Sequence, residues 1–517
     1  MKSLRFASAR VLLRHETDAR LVLPQVSHDL YPLLFKVSFL EEQPEALRLI
    51  VRHWPLPILS VGQLLGRTPD WEQDLRRRTC RLCLQALLAG LCDHVRDDRS
   101  GPAATPVRYG RPLRLVDLTG LRDSETQECE CGAGMGRWAR TEALARACVE
   151  ARQEELEAGA AARRVDVLAS AFVTQRNYGV VMDALRARGT GPLALRCMEL
   201  RADSLPCDKI FDLLGAVDLP VLRRLDLVHN VRMSPGQLED LLMDFPMPAL
   251  RAITFPTRVV DVNLHEADDP HLDALALGLA GLPLLQELNL PFSILTGHLR
   301  QLLRPLGLKA PLRVLDLSGC ELNHVDLAYL ANSEHAVALE DLDLSGHSLP
   351  ALYPATFFKL LHRAALTLRS LRLEECDVRD RHVALVLVAL GPCQRLQRLA
   401  LMGNPISRLG LRRLFAWLAG YPTLRVIEYP VPTDCFPAGT EFPPSDEALE
   451  AHDQQKLREV QGELEAILVE AKRGDIATSA PLYGSFDSDV RETGAEVGAF
   501  MISAFQSSLQ GFLDSLK

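Results

Sequence analysis

The sequence predicts an α/β solenoid: short parallel strands, each followed by a helix, stacked coil on coil, with a helical module ahead of the stack and a helical cap behind it. Three observations carry the prediction. A leucine frame returns at near-constant spacing through the middle of the chain. Each frame alternates like a strand and leaves room for a helix before the next. Both flanks carry apolar residues at helical spacing.

The repeat sets the architecture. LRRLDLVHN, starting at Leu222, reads L-x-x-L-x-L-x-x-N. The frame returns at Leu285, Leu312, Leu339, Leu368, Leu396 and Leu424, with weaker copies at Leu195 and Leu250. Successive first leucines are 27, 28, 35, 27, 27, 29, 28 and 28 residues apart. This is a leucine-rich repeat pattern. In LRVLDL the leucines point inward and the residues between them outward. A unit of about 28 residues has room for a full returning helix. Each unit has an apolar side that only its neighbours can cover, so the units stack, with the strands on the concave face and the helices on the convex face. Asn230, Cys320, His347, Cys376 and Asn404 hold the turn after successive strands, where a side chain can bond backbone groups between coils.

Five regions follow. Residues 1–96 form the helical module, read from HDLYPLLFKVSFLEE, PEALRLIVRHW and LRRRTCRLCLQALLAGLCDHV. Residues 97–190 form a linker with an early repeat-like strand, LRLVDLTGL. Residues 191–432 are the repeats. Residues 433–475 leave the array through YPVPTDCFPAGTEFPP and form a capping helix with Leu457, Leu464 and Leu468 on one side. Residues 476–517 are a tail in which Phe505, Leu509, Phe512 and Leu516 recur at helical spacing.

Composition excludes several functions. A net charge of −9 and a pI of 5.9 oppose nucleic-acid binding, which usually shows a basic domain with pI above about 9. No run of 18 apolar residues suggests a membrane span. The twelve cysteines are scattered singly through apolar segments, as buried thiols rather than a disulfide framework. The N-terminus carries Arg5, Arg10, Arg14 and Arg20 and no unbroken apolar stretch, unlike a secretory signal. A cytoplasmic or nuclear protein is the simplest expectation.

No motif points to catalysis: there is no nucleophile elbow, zinc-protease helix, dinucleotide fingerprint or phosphate loop. A non-enzymatic protein without cofactor or metal is expected. Two clusters carry residue types that bind metals. The pair Cys80 and Cys83, with Cys129 and Cys131, could hold zinc, but CRLCLQALL reads as helix with both thiols on its apolar face. His265, Glu266, Asp268, Asp269 and His271 crowd the 35-residue interval, where a solvated insertion is the simpler reading. The middle outward position of successive strands reads Glu199, Asp226, Thr254, Asn289, Asp316, Asp343, Arg372, Ala400 and Glu428. This mostly acidic stripe is the candidate partner face, suited to a basic protein partner.

One stretch is left over. In LYPLLFKVSFL, residues 30–40, only Lys36 and Ser38 are polar. It is too short to span a bilayer, so it packs either into the solenoid's end as a cap or onto a partner. DLYPLLFKVSFLEEQPEALRLIVRHWPLPILSVGQLL, LRLVDLTGL and YPVPTDCF together resemble the PRAME-like leucine-rich repeat family, over residues 1 to about 485. The resemblance implies a substrate-recognition subunit of a Cullin-2 RING ubiquitin ligase, with the substrate on the concave face. Such receptors dock Elongin C, of the Elongin B–C pair, through a helix with Leu-x-x-x-Cys. Leu34 would be the anchor, and Ser38 stands where the motif has cysteine. Trp54, Pro55 and Pro57 would fall in the cullin-contacting segment. The family leaves a second class open, a ligase-independent scaffold or inhibitor in intracellular kinase signalling.

Overall fold

In a computed structural model of the chain, the described residues are 4–14, 22–68, 73–76, 78, 80–99, 112–121, 135–158, 163–264, 270–307, 310–350 and 354–481. The chain divides into two compact units, residues 1–205 with 212–222, and residues 206–211 with 223–485.

The first unit starts with helices: α1 (Leu4–Leu13), α2 (Tyr31–Leu40), α3 (Pro44–Arg52), α4 (Val61–Leu65) and α5 (Arg81–Arg99). α2 is apolar nearly all round, so it is surrounded; α1, α3 and α4 pack against it. α3 and α5 lie close because α5 carries Gly90, where a Cβ would stand 2.7 Å from the Arg48 carbonyl oxygen. Bidentate pairs Arg48–Asp93 and Arg52–Asp97 then lace the two helices, each with an Nε–Oδ2 distance of 2.6 Å. Strands β1 (Ile58–Ser60), β2 (Leu115–Asp117), β3 (Val165–Val173) and β4 (Leu193–Asp203) pair in parallel, in sequence order. Helices α6 (Arg137–Ala158) and α7 (Tyr178–Ala187) return between them. The segment expected as linker and early repeat, 97–190, thus holds two helices and a nine-residue strand besides the expected strand within LRLVDLTGL.

The second unit holds β5 (Arg224–Val228), β6 (Ala252–Thr254), β7 (Glu287–Asn289), β8 (Val314–Asp316), β9 (Asp341–Asp343), β10 (Ser370–Arg372), β11 (Arg398–Ala400), β12 (Val426–Glu428) and β13 (Ala477–Ser479). Each pairs in parallel with the next, with no register shift between them. The leucine-rich repeat architecture is therefore observed. The middle residue of each strand from β5 to β12 that continues the frame, from Leu225 to Ile427, is buried, while its neighbours form the open face. The last helix, Gln454–Glu470, is N-capped by Asp453 and buries Leu457, Val460, Leu464 and Leu468, packing on the helix Arg408–Leu418. The Arg473 guanidinium donates to the carbonyls of Ala419 (3.1 Å) and Leu424 (2.8 Å), which end that helix and lead into β12. Phe505, Leu509, Phe512 and Leu516 lie outside the described residues. No helix among the described residues is long and apolar enough to cross a membrane.

One turn position recurs in left-handed conformation: His229, Phe292, Gly319, Gly346, Glu375 and Gly403 all have positive φ. Gly319 has φ 63°, and a Cβ there would stand 2.5 Å from Phe292 Cδ1. Gly319→Ala should therefore destabilise the repeat unit by about 1–2 kcal/mol, part from backbone and part from the displaced ring. Thermal melts of Gly319→Ala with and without Phe292→Ala separate the two parts; an unchanged melting temperature in the single variant would refute the account.

Candidate interaction faces

Two rows of side chains run across the open face of the repeat unit, fixed by register. One is Arg224, Ala252, Glu287, Val314, Asp341, Ser370, Arg398 and Val426. The other is Asp226, Thr254, Asn289, Asp316, Asp343, Arg372, Ala400 and Glu428. Six carboxylates face three guanidiniums in these rows. Apart from Glu199, which lies on β4, the expected stripe is the second row alone.

Its residues are tied to one another and to the first row. Asp226 accepts from Thr254 Oγ1 at 2.7 Å, and Asn289 Nδ2 donates to Thr254 Oγ1 at 3.0 Å and to Glu287 Oε1 at 3.0 Å. Arg224 reaches across Ala252 to Glu287, Nη1 to Oε1 2.9 Å. It can do so because alanine adds no bulk between strands about 4.8 Å apart. Asp316 and Asp343 are register neighbours. Burial, then the Asp343 charge beside it, raises the Asp316 carboxyl above its ordinary range. Arg372 answers from the next strand, its Nε 2.8 Å from Asp343 and its Nη2 3.7 Å from Asp341. Arg398 clasps both oxygens of Glu428 at 2.9 Å. Asp226, Asp316, Asp343, Arg372 and Glu428 are thus partly buried members of a polar lattice, acidic in balance. Glu199, on β4 of the first unit, is exposed and accepts from Ser170 Oγ at 2.6 Å.

Above this lattice stands Glu374, its carboxyl pushed up to about 7 by burial, then by Asp343 and Glu428, against the opposing pull of Arg372 and Arg398. The folded state holds this proton more tightly than the unfolded chain, whose glutamate titrates near 4.5. Stability from this group therefore falls as pH rises from about 4.5 to about 7 and stays low above that. Glu374→Gln removes the penalty. The variant should match wild type near pH 4.5 and exceed it at pH 8, by no more than about 3 kcal/mol. Melting both proteins across that range checks this; a constant gap would contradict it.

The turn residues bond as their position suggests. Cys320 Sγ meets Leu290 O at 3.0 Å, Cys376 Sγ meets Leu344 O at 3.3 Å, and His347 Nδ1 meets Leu344 O at 2.9 Å. Asn404 bonds backbone on its own coil and on the preceding one, and Asn230 lies at the exposed surface. Cys80 and Cys83 are buried at the start of α5; Cys129 and Cys131 lie outside the described residues. So do His265, Glu266, Asp268 and Asp269, while His271 Nδ1 stands 3.2 Å from Glu239.

In the N-terminal module, Leu34 is 3% exposed and Ser38 fully buried, its hydroxyl donating to the Phe35 carbonyl at 2.9 Å. Tyr31, Phe35, Val37 and Phe39 are buried with them. Even Lys36 is buried, its Nζ donating to Gly66 O at 2.6 Å, and burial pushes its ammonium down to about 8 against the pull of Asp74. Trp54 is also buried, edge-on to Tyr31 and Phe35 at 6.1 and 6.0 Å. Its Nε1–H donates to Ile58 O at 3.1 Å. Pro55 and Pro57 are half-buried on the connection into β1, and the Pro57 carbonyl receives the amides of Arg114 and Leu115. Leu34, Ser38 and Trp54 thus sit in this chain's own core, whereas Ile58, at the start of β1, is an exposed apolar side chain.

A polar open face on a leucine-rich repeat sheet, joined to a helical module, defines a protein-interaction scaffold. The chain matches the PRAME N-terminal domain over residues 2–99 and the PRAME C-terminal domain over residues 191–474. It is 33% identical to leucine-rich repeat-containing protein 14 of Bos taurus over 502 residues, 95% of this chain and 99% of that one. To PRAME family member 12 of Homo sapiens it is 26% identical, over 83% of this chain and 84% of the relative. The chain belongs to the PRAME family, in its leucine-rich repeat-containing protein 14 subfamily. Among solved structures, the leucine-rich repeat protein LegL7 of Legionella pneumophila overlaps with a TM-score of 0.33 and 19% identity, over 52% of this chain and 83% of that one.

Proposed function

We propose that the chain is the substrate-recognition subunit of a Cullin-2 RING ubiquitin ligase, directing a bound protein to proteasomal degradation. The observation that carries the reading is the pairing of a helical module matching the PRAME N-terminal domain with repeats that present an open, acidic polar face. The module docks the Elongin B–C pair and Cullin-2, and the face takes a substrate with a complementary basic segment. Because Leu34 and Ser38 are packed inside the module, docking through them requires α2 to part from its neighbours, as a minor open state that the partner selects.

The test is calorimetric titration of the purified full chain with Elongin B–C, with circular dichroism confirming the fold. Binding, accompanied by faster hydrogen exchange in α1 and the uncovered face of α2, is the expected result. A folded chain that does not bind ends the Elongin form of the proposal. The burial of Leu34 and Ser38 favours the second reading in that event: a ligase-independent scaffold or inhibitor in kinase signalling, with the module as a structural end cap.

A further inference from the structure

In the first unit, a cleft of about 590 Å³ opens where β2, β3 and β4 begin. That size suits a small ligand or a few residues of peptide. Its lining is unlike the rest of this acidic chain. Arg114, Arg163, Arg164 and Arg196 surround it, with Asp166 the one carboxylate among its lining residues and Pro112 on its apolar wall.

The register explains the convergence. Leu115 pairs with Asp166, and Leu168 with Arg196, so residues just before or early in three adjacent strands meet at one end of the sheet. Asp166 does not quench the cluster. It stands 3.4 Å from Arg164 Nε and 3.1 Å from Arg196 Nη2. Asp218 adds a contact of 3.4 Å to Arg196 Nη1. Arg196 Nε–H is nonetheless buried without an acceptor. Arg114 is exposed, and its guanidinium has no carboxylate partner among the described residues.

We propose that this cleft binds a phosphorylated side chain of a peptide partner. Arginine forks match phosphate oxygens bidentately. A carboxylate offers two oxygens and one charge. A phosphomonoester offers three oxygens and a charge of about −1.5 to −2, the better match to a cleft lined by four arginines and one carboxylate, with Asp218 touching only the outer edge of Arg196. Nucleic acid would need a longer basic track than this single cleft in a chain of net charge −9. The choice of a peptide rests on the reading of the chain as a protein-recognition subunit. Phosphorylation would then decide which partners are taken.

The experiment measures fluorescence polarisation of two matched peptide pools, degenerate around a central phosphoserine or around serine, with the full chain. The phosphorylated pool should bind at least about tenfold tighter, and the difference should shrink with added salt. Arg114→Glu should abolish the difference without changing the fold, since that side chain holds nothing else in place. Arg196→Lys, keeping the charge but losing the fork, should reduce it severalfold. Arg146→Glu, on an exposed part of α6, should leave it intact. Equal binding of the two pools overturns the proposal, as does a preference that survives Arg114→Glu. Competition by inorganic phosphate as effective as by the peptide would assign the cleft to a free phosphate compound instead, and retention on anionic lipid vesicles that Arg114→Glu abolishes would assign it to a membrane. Elongin B–C binding by Arg114→Glu, read in parallel, separates failure here from failure of the ligase reading.

Discussion

Asn404→Ala should destabilise the repeat unit by about 3–5 kcal/mol, among the largest effects of any single change in the array. The side chain is fully buried and uses both ends. Its Oδ1 accepts from the amides of Cys376 and Val378, each at 2.9 Å. Its Nδ2 donates to the carbonyls of Leu373 (2.7 Å) and Leu401 (2.8 Å). Truncation orphans two donors and two acceptors at once; one buried orphan costs about 1–3 kcal/mol, and the cavity left by the amide lets the freed groups relax, so the sum stays well below four independent penalties. Cys376→Ala is the internal contrast, because its thiol is a single weak donor, placed 3.3 Å from both Leu344 O on the preceding coil and Glu374 O on its own; about 1 kcal/mol is expected there. Asn404→Asp should not rescue, since a carboxylate accepts but cannot donate and is costly to bury. Urea denaturation followed by hydrogen exchange at Cys376 and Val378 checks the chain of reasoning. If those two amides keep their protection in Asn404→Ala, the bonds are not what holds the coils in register.

The repeat itself was legible because it rests on a period. Leucine returns about every 28 residues, and within each frame the apolar side alternates, so strand, buried row and register all follow from one pattern. What stayed hidden lacks that pattern. β3 buries Val165, Val167, Ala169 and Ala171, an alternation as regular as any frame but written in valine and alanine. β13 carries no leucine at all and joins β12 through Ala477 N–H to Arg425 O at 2.8 Å. On the open face, the middle outward residues were read and the row two residues earlier was not. That row supplies Arg224, Glu287, Asp341 and Arg398, which turn an acidic stripe into a lattice of pairs. Period two already assigns those residues to the same face, so the signal was present. The reach of Arg224 across Ala252 was not, because it depends on which strands become neighbours. In the N-terminal module, helix and apolarity were readable, but a helix apolar on every side does not declare which residues its own neighbours cover. Leu34 therefore read equally well as cap or as anchor.

Trp54 gives the means to decide between those two roles. It locks the end of α3 against α2, with its ring edge-on to Tyr31 and Phe35 and its indole N–H on the Ile58 carbonyl. Trp54→Ala should cost the module about 3–5 kcal/mol, the range for a buried large aromatic. Trp54→Phe keeps most of the ring contact, loses one hydrogen bond, and should cost about 1 kcal/mol. Hydrogen exchange through α2 and α3 reports the loosening. The consequence for binding has a definite sign. If Elongin B–C takes Leu34 and Ser38 from an α2 that must first part from its neighbours, apparent affinity equals intrinsic affinity multiplied by the open fraction. Loosening the packing raises that fraction, so Trp54→Ala, at a temperature where the chain remains folded, should bind tighter than wild type. A gain of tenfold needs only about 1.4 kcal/mol of the destabilisation to fall on the closed form relative to the open one. If binding instead weakens in step with the loss of stability, the partner grips the packed module from outside, and Leu34 and Ser38 belong to the core alone.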